Sequence, residues 1–121
     1  MCKRILVLDD DLAILQVLGD VLEYSGYKVN TLSRGDKIFE TIQEYHPDLI
    51  LLDVMLAEMD GRQICQSIKQ DSAIANIPVI LISATHDLSK CLNQQGAPDD
   101  FVAKPFDLGT LLDKIEHQLA A

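Results

Sequence analysis

Three short runs of apolar residues in the sequence are each followed by side chains that carry oxygen. The residues in these places are Asp9, Asp10, Asp53 and Ser83. Apolar runs this short and unbroken are typical of central strands in a parallel sheet. Because the carboxyl ends of such strands lie along one edge, where open α/β sheets bind ligands, we expect the four side chains to meet there.

Carboxylates that meet at one edge of a sheet need a cation. Two unpaired carboxylates about 4 Å apart repel each other by about 4 kcal/mol at an effective dielectric constant of about 20. Their pKa values would therefore rise unless positive charge joins them. Oxygen ligands with space for water suit Mg²⁺, which proteins usually bind through one or two carboxylates together with phosphate oxygens. Lys104, just after the last predicted strand, could add a fixed positive charge.

Each of these residues also has an ordinary structural explanation. A single aspartate after a strand usually forms a turn or caps a helix, and Asp11 is expected to cap the helix that follows it. Ser83 alone would more often be a turn hydroxyl, and Lys104 alone a solvated surface residue. Their shared position on one predicted edge favours a common site.

The wider pattern predicts five strands that alternate with five helices. The strands, three central and two nearer the edges, cover Ile5 to Leu8, Lys28 to Leu32, Leu49 to Leu52, Val79 to Ile82 and Phe101 to Ala103. Apolar residues spaced three and four apart predict helices around Ile14 to Leu22, Ile38 to Tyr45, Ile64 to Ile68, Asp87 to Gln95 and Leu108 to Leu119. Gly26 and Pro47 are expected to end the first and second helices.

This alternation, without repeats or a linker-like stretch, predicts a single α/β domain over residues 1–121. We expect a three-layer, doubly wound architecture in which helices cover both faces of a five-stranded parallel sheet. A chain of 121 residues suits one hydrophobic core, so we expect no effector domain within it, whether it stands alone or belongs to a longer protein.

The composition argues against several classes of function. A formal net charge of −9 argues against direct binding of nucleic acid, whose phosphates are bound by an excess of Lys and Arg. No stretch approaches the roughly 20 apolar residues of a membrane-spanning helix. The N-terminus lacks the apolar core of a secretory signal, so a cytoplasmic protein is expected. The three cysteines and three histidines are scattered without the spacing of a disulfide framework or a zinc site.

Five motifs together resemble the receiver domains of response regulators in two-component signalling, over essentially the entire chain. The motifs are Val7-Leu8-Asp9-Asp10-Asp11, Leu51-Leu52-Asp53-Val54-Met55-Leu56, Met59-Asp60-Gly61, Ile82-Ser83-Ala84 and Asp100-Phe101-Val102-Ala103-Lys104-Pro105-Phe106. Each motif is weak alone, whereas the set in this order and spacing is highly specific. The resemblance implies a flavodoxin-like fold with strand order 2-1-3-4-5.

The resemblance also assigns roles in phosphorylation. Asp53 would be the nucleophile and phosphoacceptor, and Lys104 would bind the phosphoryl oxygens. Asp10, Asp53 and the backbone carbonyl of Met55 would bind Mg²⁺ directly, and Asp9 would help through a water molecule.

Ser83 and Phe101 match the family's pair of switch residues. Phosphorylation would move the Ser83 hydroxyl toward the new oxygens and let Phe101 rotate inward. The output face, formed by the helix over 87–95, the fifth strand and the last helix, would change with it. The Lys104-Pro105 bond matches a cis peptide of the family. Ala57 departs from the family, which commonly has proline there, and Pro98 interrupts the pattern before the fifth strand, so the helix over 87–95 is expected to be short.

The implied function is Mg²⁺-dependent acceptance of a phosphoryl group from a sensor histidine kinase or a phosphotransfer protein. The protein would not be an enzyme beyond its own phosphorylation and autodephosphorylation. Its output would go to a downstream protein or to an effector domain outside this chain. The protein would be a monomer or a homodimer promoted by phosphorylation, without contact to nucleic acid or membrane.

Two alternatives from other classes stay open. An aspartate-dependent phosphohydrolase of the dehalogenase type would use Asp9 as its nucleophile, although such enzymes usually have threonine after the Asp-x-Asp element, where this chain has Leu12. An interaction module that is independent of phosphorylation would keep the fold without the chemistry. The full set of acidic residues with Ser83 and Lys104 argues against it.

Overall fold

A computed structural model describes residues 3–56, 60–83, 98–104 and 107–120 of the chain. Its strands are β1 (Arg4–Leu8), β2 (Lys28–Leu32), β3 (Leu49–Asp53), β4 (Val79–Ser83) and β5 (Asp100–Ala103). Its α-helices are α1 (Leu12–Tyr24), α2 (Ile38–Tyr45), α3 (Gly61–Gln70) and α4 (Leu108–Ala120), and a short 3-10 helix (Gly35–Lys37) precedes α2. The helix predicted over 87–95 lies outside the described residues.

The five strands form one parallel sheet in the order β2-β1-β3-β4-β5. Every residue of β3 and β4 is buried, as the unbroken apolar runs predicted, whereas β2 at the edge is only partly covered. The sequence placed Asp53 and Ser83 just after their strands, but each is the last residue of its strand. The backbone pairing between neighbouring strands therefore continues by one residue more than predicted and includes Asp53 and Ser83 themselves.

Two hydrophobic cores lie on opposite faces of the sheet, so the three-layer arrangement is confirmed. One core joins the sheet to α1 and α4 through residues such as Leu18 and Ile115. The other joins it to α2 and α3 through residues such as Ile42 and Ile68. Alternate residues of each central strand point to opposite cores, as the geometry of a strand requires.

The predicted helix signals act as expected. The Asp11 side chain caps α1 by accepting hydrogen bonds from the amides of Ala13 and Ile14. Gly26, just after α1, has a φ of +99°, a conformation that favours glycine. Helix α2 ends at Tyr45, and the next residue, His46, caps it with a left-handed φ of 54° directly before Pro47. Among the described residues, no helix has the length and apolar character needed to cross a membrane.

Candidate functional site

The register of the sheet brings the predicted site residues to one edge. Asp53 pairs with Ile82 across β3 and β4, so that Ser83 lies one residue further along the same edge. Ser83 pairs in turn with Ala103, and the Lys104 amide donates to the Ser83 carbonyl at 2.7 Å. Residues that are far apart in sequence therefore end their strands at the same level.

Three carboxylates converge at this edge. One oxygen from each of Asp9, Asp10 and Asp53 lies within 4.8 Å of the others. Asp9 is 1% exposed and Asp53 is 4% exposed, while Asp10 faces solvent. An Asp9 oxygen accepts the Asp11 amide at 2.9 Å, which fixes the turn between β1 and α1. The result is an acidic cluster, formed by these three residues, with two buried members and one open to solvent.

Lys104 supplies the positive charge that the sequence predicted. Its Nζ atom lies 3.3 Å from Oδ2 of Asp9 and 3.5 Å from Oδ2 of Asp53. The lysine side chain is 22% exposed, so it partly covers the two carboxylates. Within the part of the chain that the structure describes, one ammonium group faces three carboxylates, which leaves a deficit of positive charge at the site.

This deficit of positive charge contributes to a raised pKa of Asp53. The pKa of Asp53 is raised from 3.8 to about 6, chiefly by burial and then by the nearby Asp9 charge, while the Lys104 charge acts in the opposite direction. The Met55 amide, which donates to Asp53 Oδ1 at 3.3 Å, also lowers this pKa. A carboxyl group with a pKa raised in this way gains from a bound cation.

Gly61 shapes the backbone next to Asp53, a role that sequence reasoning missed. The Gly61 amide donates to the Val54 carbonyl at 2.8 Å, and Met55 pairs with Asp60 in an isolated bridge. A Cβ atom at position 61 would overlap the carbonyl oxygen of Asp53 and lie 2.9 Å from Val54 Cα. The only indication in the sequence was the Met59-Asp60-Gly61 motif itself. A glycine that is required because another part of the backbone lies close to it cannot be distinguished from other glycines by residue type alone.

The two predicted switch residues lie on the neighbouring strands β4 and β5. Ser83 is fully buried at the end of β4, and Phe101 is half-buried on β5. Ala57 and Pro105 lie outside the described residues, so the predicted cis peptide bond does too.

The donor set of the acidic cluster fits Mg²⁺. Its atoms are carboxylate oxygens, which Mg²⁺ prefers as ligands. The exposed Asp10 leaves the cluster open to solvent, and Mg²⁺ usually keeps several water ligands when a protein binds it. Among the described residues, the group that could hold a metal here contains carboxylates and neither cysteine nor histidine, the ligands that zinc and softer metals favour. The residues present are therefore suited to a hard divalent cation.

Comparison with known families gives the class of the protein. The sequence matches the model of the response regulator receiver domain over residues 5–116. The chain therefore belongs to the receiver domain family of two-component response regulators. The resemblance drawn from the five motifs is confirmed.

Individual relatives add the wider context. The DNA-binding dual master transcriptional regulator RpaA of Synechocystis is 36% identical over 117 residues, which cover 96% of this chain and 48% of RpaA. The alkaline phosphatase synthesis transcriptional regulatory protein PhoP of Bacillus subtilis is 37% identical over 107 residues, or 88% of this chain and 44% of PhoP. The chain spans about half the length of the curated relatives it matches.

Solved structures agree with the fold. A CheY-like receiver domain protein from Methanospirillum hungatei has a TM-score of 0.89 at 26% identity, covering 99% of this chain and 95% of that chain. DrrB of Thermotoga maritima, an OmpR/PhoB homolog, has a TM-score of 0.84 at 30% identity, covering 99% of this chain and 54% of that chain. The predicted flavodoxin-like sheet with strand order 2-1-3-4-5 is thus confirmed.

Proposed function

We propose that Asp53 accepts a phosphoryl group and that residues 1–121 form the receiver domain that responds to it. The observation that carries this proposal is the position of the Asp53 carboxylate, which lies beside the Lys104 ammonium group and two further carboxylates at the carboxyl edge of the sheet. Such a site combines a nucleophile, a fixed cation and ligands for a second cation. Phosphoryl transfer needs this kind of positioning and charge neutralisation more than covalent machinery.

In the proposed reaction an oxygen of Asp53 attacks the phosphorus of a phosphohistidine. The phosphorus–nitrogen bond breaks, the bonding pair stays on the imidazole nitrogen, and an aspartyl phosphate forms. Lys104, already within 3.5 Å of Asp53 Oδ2, binds the transferred phosphoryl oxygens. Hydrolysis of the acyl phosphate by water returns Asp53 to its free form, and the domain has no other enzymatic activity.

Asp10, Asp53 and the backbone carbonyl of Met55 would hold Mg²⁺, with Asp9 acting through a water molecule. When bound, Mg²⁺ neutralises the phosphoryl oxygens and the carboxylates that surround them. The proximity of the three carboxylates and the raised pKa of Asp53 support this assignment.

Ser83 and Phe101 form the proposed switch. The Ser83 hydroxyl turns toward the aspartyl phosphate, and Phe101 rotates inward. The output face, of which β5 and α4 lie within the described residues, then changes its affinity for a partner. Phosphorylation biases an equilibrium that exists before it, so a minor switched conformer is present in the free protein.

The proposed partners are proteins. A sensor histidine kinase or a phosphotransfer protein donates the phosphoryl group in the cytoplasm, and a downstream protein or an effector domain outside this chain receives the signal. RpaA is described as DNA-binding, but this chain corresponds to only 48% of RpaA and carries a net charge of −9. Direct contact between this chain and nucleic acid is therefore disfavoured. In this proposal the chain is a monomer or a homodimer promoted by phosphorylation.

The direct test is to incubate the protein with acetyl phosphate and Mg²⁺ and to measure its intact mass. Wild type should gain one phosphoryl group, and Asp53→Asn should gain none. Asp53→Asn is matched to Asp9→Asn, because both remove one charge from the same cluster. A phosphohydrolase that uses Asp9 would instead show steady turnover of a small phosphate ester, which Asp9→Asn would abolish and Asp53→Asn would not. No mass gain on the wild type would refute the proposed function.

A further inference from the structure

Two charged side chains contact Phe101. The Nζ atom of Lys114 lies 5.6 Å from the centroid of the Phe101 ring and 2.9 Å from Oδ1 of Asp100. The same Asp100 oxygen accepts the Phe101 amide at 2.8 Å. One ion pair therefore contacts both the ring and the backbone of Phe101.

The ion pair is partly removed from solvent. The side chains of Lys114 and Asp100 are 31% and 23% exposed, so screening by water and salt is reduced. Two residues of α4 near Lys114 are in the core: Ile115, the next residue, is fully buried, and Leu111, three residues earlier, is 1% exposed. The lysine stem thus begins on a helix that is fixed to the core, and its contact with the ring is held in place by α4.

Phe101 lies on the outermost strand on its side of the sheet. Strand β5 pairs with β4, where Phe101 is opposite Leu81, and β5 ends the strand order. The hydrogen bond to Asp100 holds the Phe101 backbone, so the ring can change position mainly by rotating about its side-chain bonds. Such a rotation would take the ring away from the Lys114 ammonium group and lose the cation–π attraction.

We propose that Lys114 and Asp100 form a clamp that holds the Phe101 ring in its half-buried position and so lowers the population of the switched conformer before phosphorylation. This Lys114–Asp100 clamp rests on the proposed function, because it acts on the proposed switch residue. Lys114 is a positioning residue that acts through Phe101. A cation–π contact and a partly exposed ion pair are each modest, and their loss should raise the population of the rotated ring about fivefold.

The test uses the full chain labelled with 4-fluorophenylalanine. The three phenylalanines give three ¹⁹F signals, and Phe101→Tyr identifies the signal of Phe101. Lys114→Met keeps the length of the side chain and removes its charge, whereas Lys114→Arg keeps the charge. Lys37→Met is the matched control, because it changes the net charge equally but breaks only an exposed ion pair with Glu40 at 4.0 Å. Each variant is measured without metal or phosphodonor and again with acetyl phosphate and Mg²⁺.

In the unphosphorylated protein, Lys114→Met should move the Phe101 signal toward its position in phosphorylated wild type, while Lys114→Arg and Lys37→Met should leave it in place. The clamp is refuted if Lys114→Met does not move the signal, or if Lys37→Met moves it equally. The two proposals fail separately. If the phosphodonor leaves the wild-type signal unchanged while Lys114→Met shifts it, Lys114 positions the Phe101 ring, but the switch role is wrong and the effect of the clamp on a switched conformer is refuted with it. If only the phosphodonor shifts the signal, the clamp is wrong and the switch role is supported.

Discussion

The Nζ atom of Lys104 lies 3.5 Å from Oδ2 of Asp53, although 51 residues separate the two in the chain. The same atom lies 3.3 Å from Asp9, so one ammonium group contacts two buried carboxylates. This lysine offsets the repulsion within the acidic cluster, and it also lies where the proposed phosphoryl group on Asp53 needs positive charge. These two roles predict opposite effects when its charge is removed.

Lys104→Met should bind Mg²⁺ more tightly than wild type, because the positive charge that repels the metal ion is gone while the carboxylates stay. Phosphorylation by acetyl phosphate should nevertheless slow by about 10²-fold, the order of effect found when one preorganised group that stabilises developing charge is removed. Titration calorimetry measures the first effect, and the time course of the intact mass measures the second. Lys37→Met, with the same change in net charge on an exposed residue, should alter neither. Equal losses of metal binding and of phosphorylation would contradict the assignment.

Mg²⁺ affinity should depend on pH because protons compete with the metal for Asp53. With a pKa of about 6, Asp53 is mostly protonated at pH 5 and mostly ionised at pH 7.5. The apparent dissociation constant should therefore be about tenfold larger at pH 5 than at pH 7.5. Calorimetric titrations at the two pH values check this. Asp53→Asn should bind weakly with a much smaller pH dependence, and a wild-type affinity that is constant over this range would show that Asp53 is not a ligand.

The stability of the metal-free protein should show the same titration. The pKa of Asp53 is higher in the folded protein than its ordinary value of 3.8. Its contribution to stability is therefore fully present below about pH 3.8 and is lost as the pH rises through about 6. Asp60 acts in the opposite direction at the acid end of this interval, because its hydrogen bond and charge interaction with Arg62 lower its pKa.

Asp53→Asn removes this loss. The free energy of unfolding of the variant minus that of wild type should increase by about 1–2 kcal/mol from pH 4 to pH 7.5. One pKa unit corresponds to about 1.4 kcal/mol, and solvent at the edge of the site screens part of this interaction. Urea unfolding in the presence of a chelator, followed by circular dichroism because the chain has no tryptophan, gives the difference. Excess Mg²⁺ should reverse it by stabilising wild type more strongly. A difference that does not change with pH would contradict the raised pKa.

Much of the fold followed from the sequence because the physical signals were local. Runs such as Leu49 to Leu52 can be buried only between two layers, and Asp11 and Gly26 are end signals with known geometry. The convergence of the acidic residues was also predictable, because parallel strands place their carboxyl ends together. The strand order came from the family resemblance and not from the pattern.

The parts that the sequence did not predict depend on contacts between distant elements. The pairing of Lys114 with Asp100 requires the register of α4 against β5, which no local pattern contains. The packing of Gly61 against Asp53 depends on the path of the chain after β3. Both features adjoin residues that were singled out, but each is visible only once the backbone is placed.

Gly61→Ala should destabilise the protein by about 1–3 kcal/mol, because the new methyl group overlaps the Asp53 carbonyl and the start of α3 must move away. The same shift moves the loop that carries Met55, whose carbonyl is a proposed metal ligand. Mg²⁺ binding and phosphorylation by acetyl phosphate should therefore weaken together, at temperatures well below unfolding. Thermal unfolding and calorimetry on the same samples measure the two effects.

Gly19→Ala is the matched control for this change. Gly19 lies within α1, and a Cβ atom there meets no atom within 4 Å. The methyl group should therefore stabilise the helix by about 0.5–1 kcal/mol, since glycine is the poorer helix former, and should leave Mg²⁺ affinity unchanged. If Gly61→Ala were destabilised but bound Mg²⁺ with the wild-type affinity, the close approach at Gly61 would serve packing alone, and the acidic cluster would not depend on the position of the loop after β3.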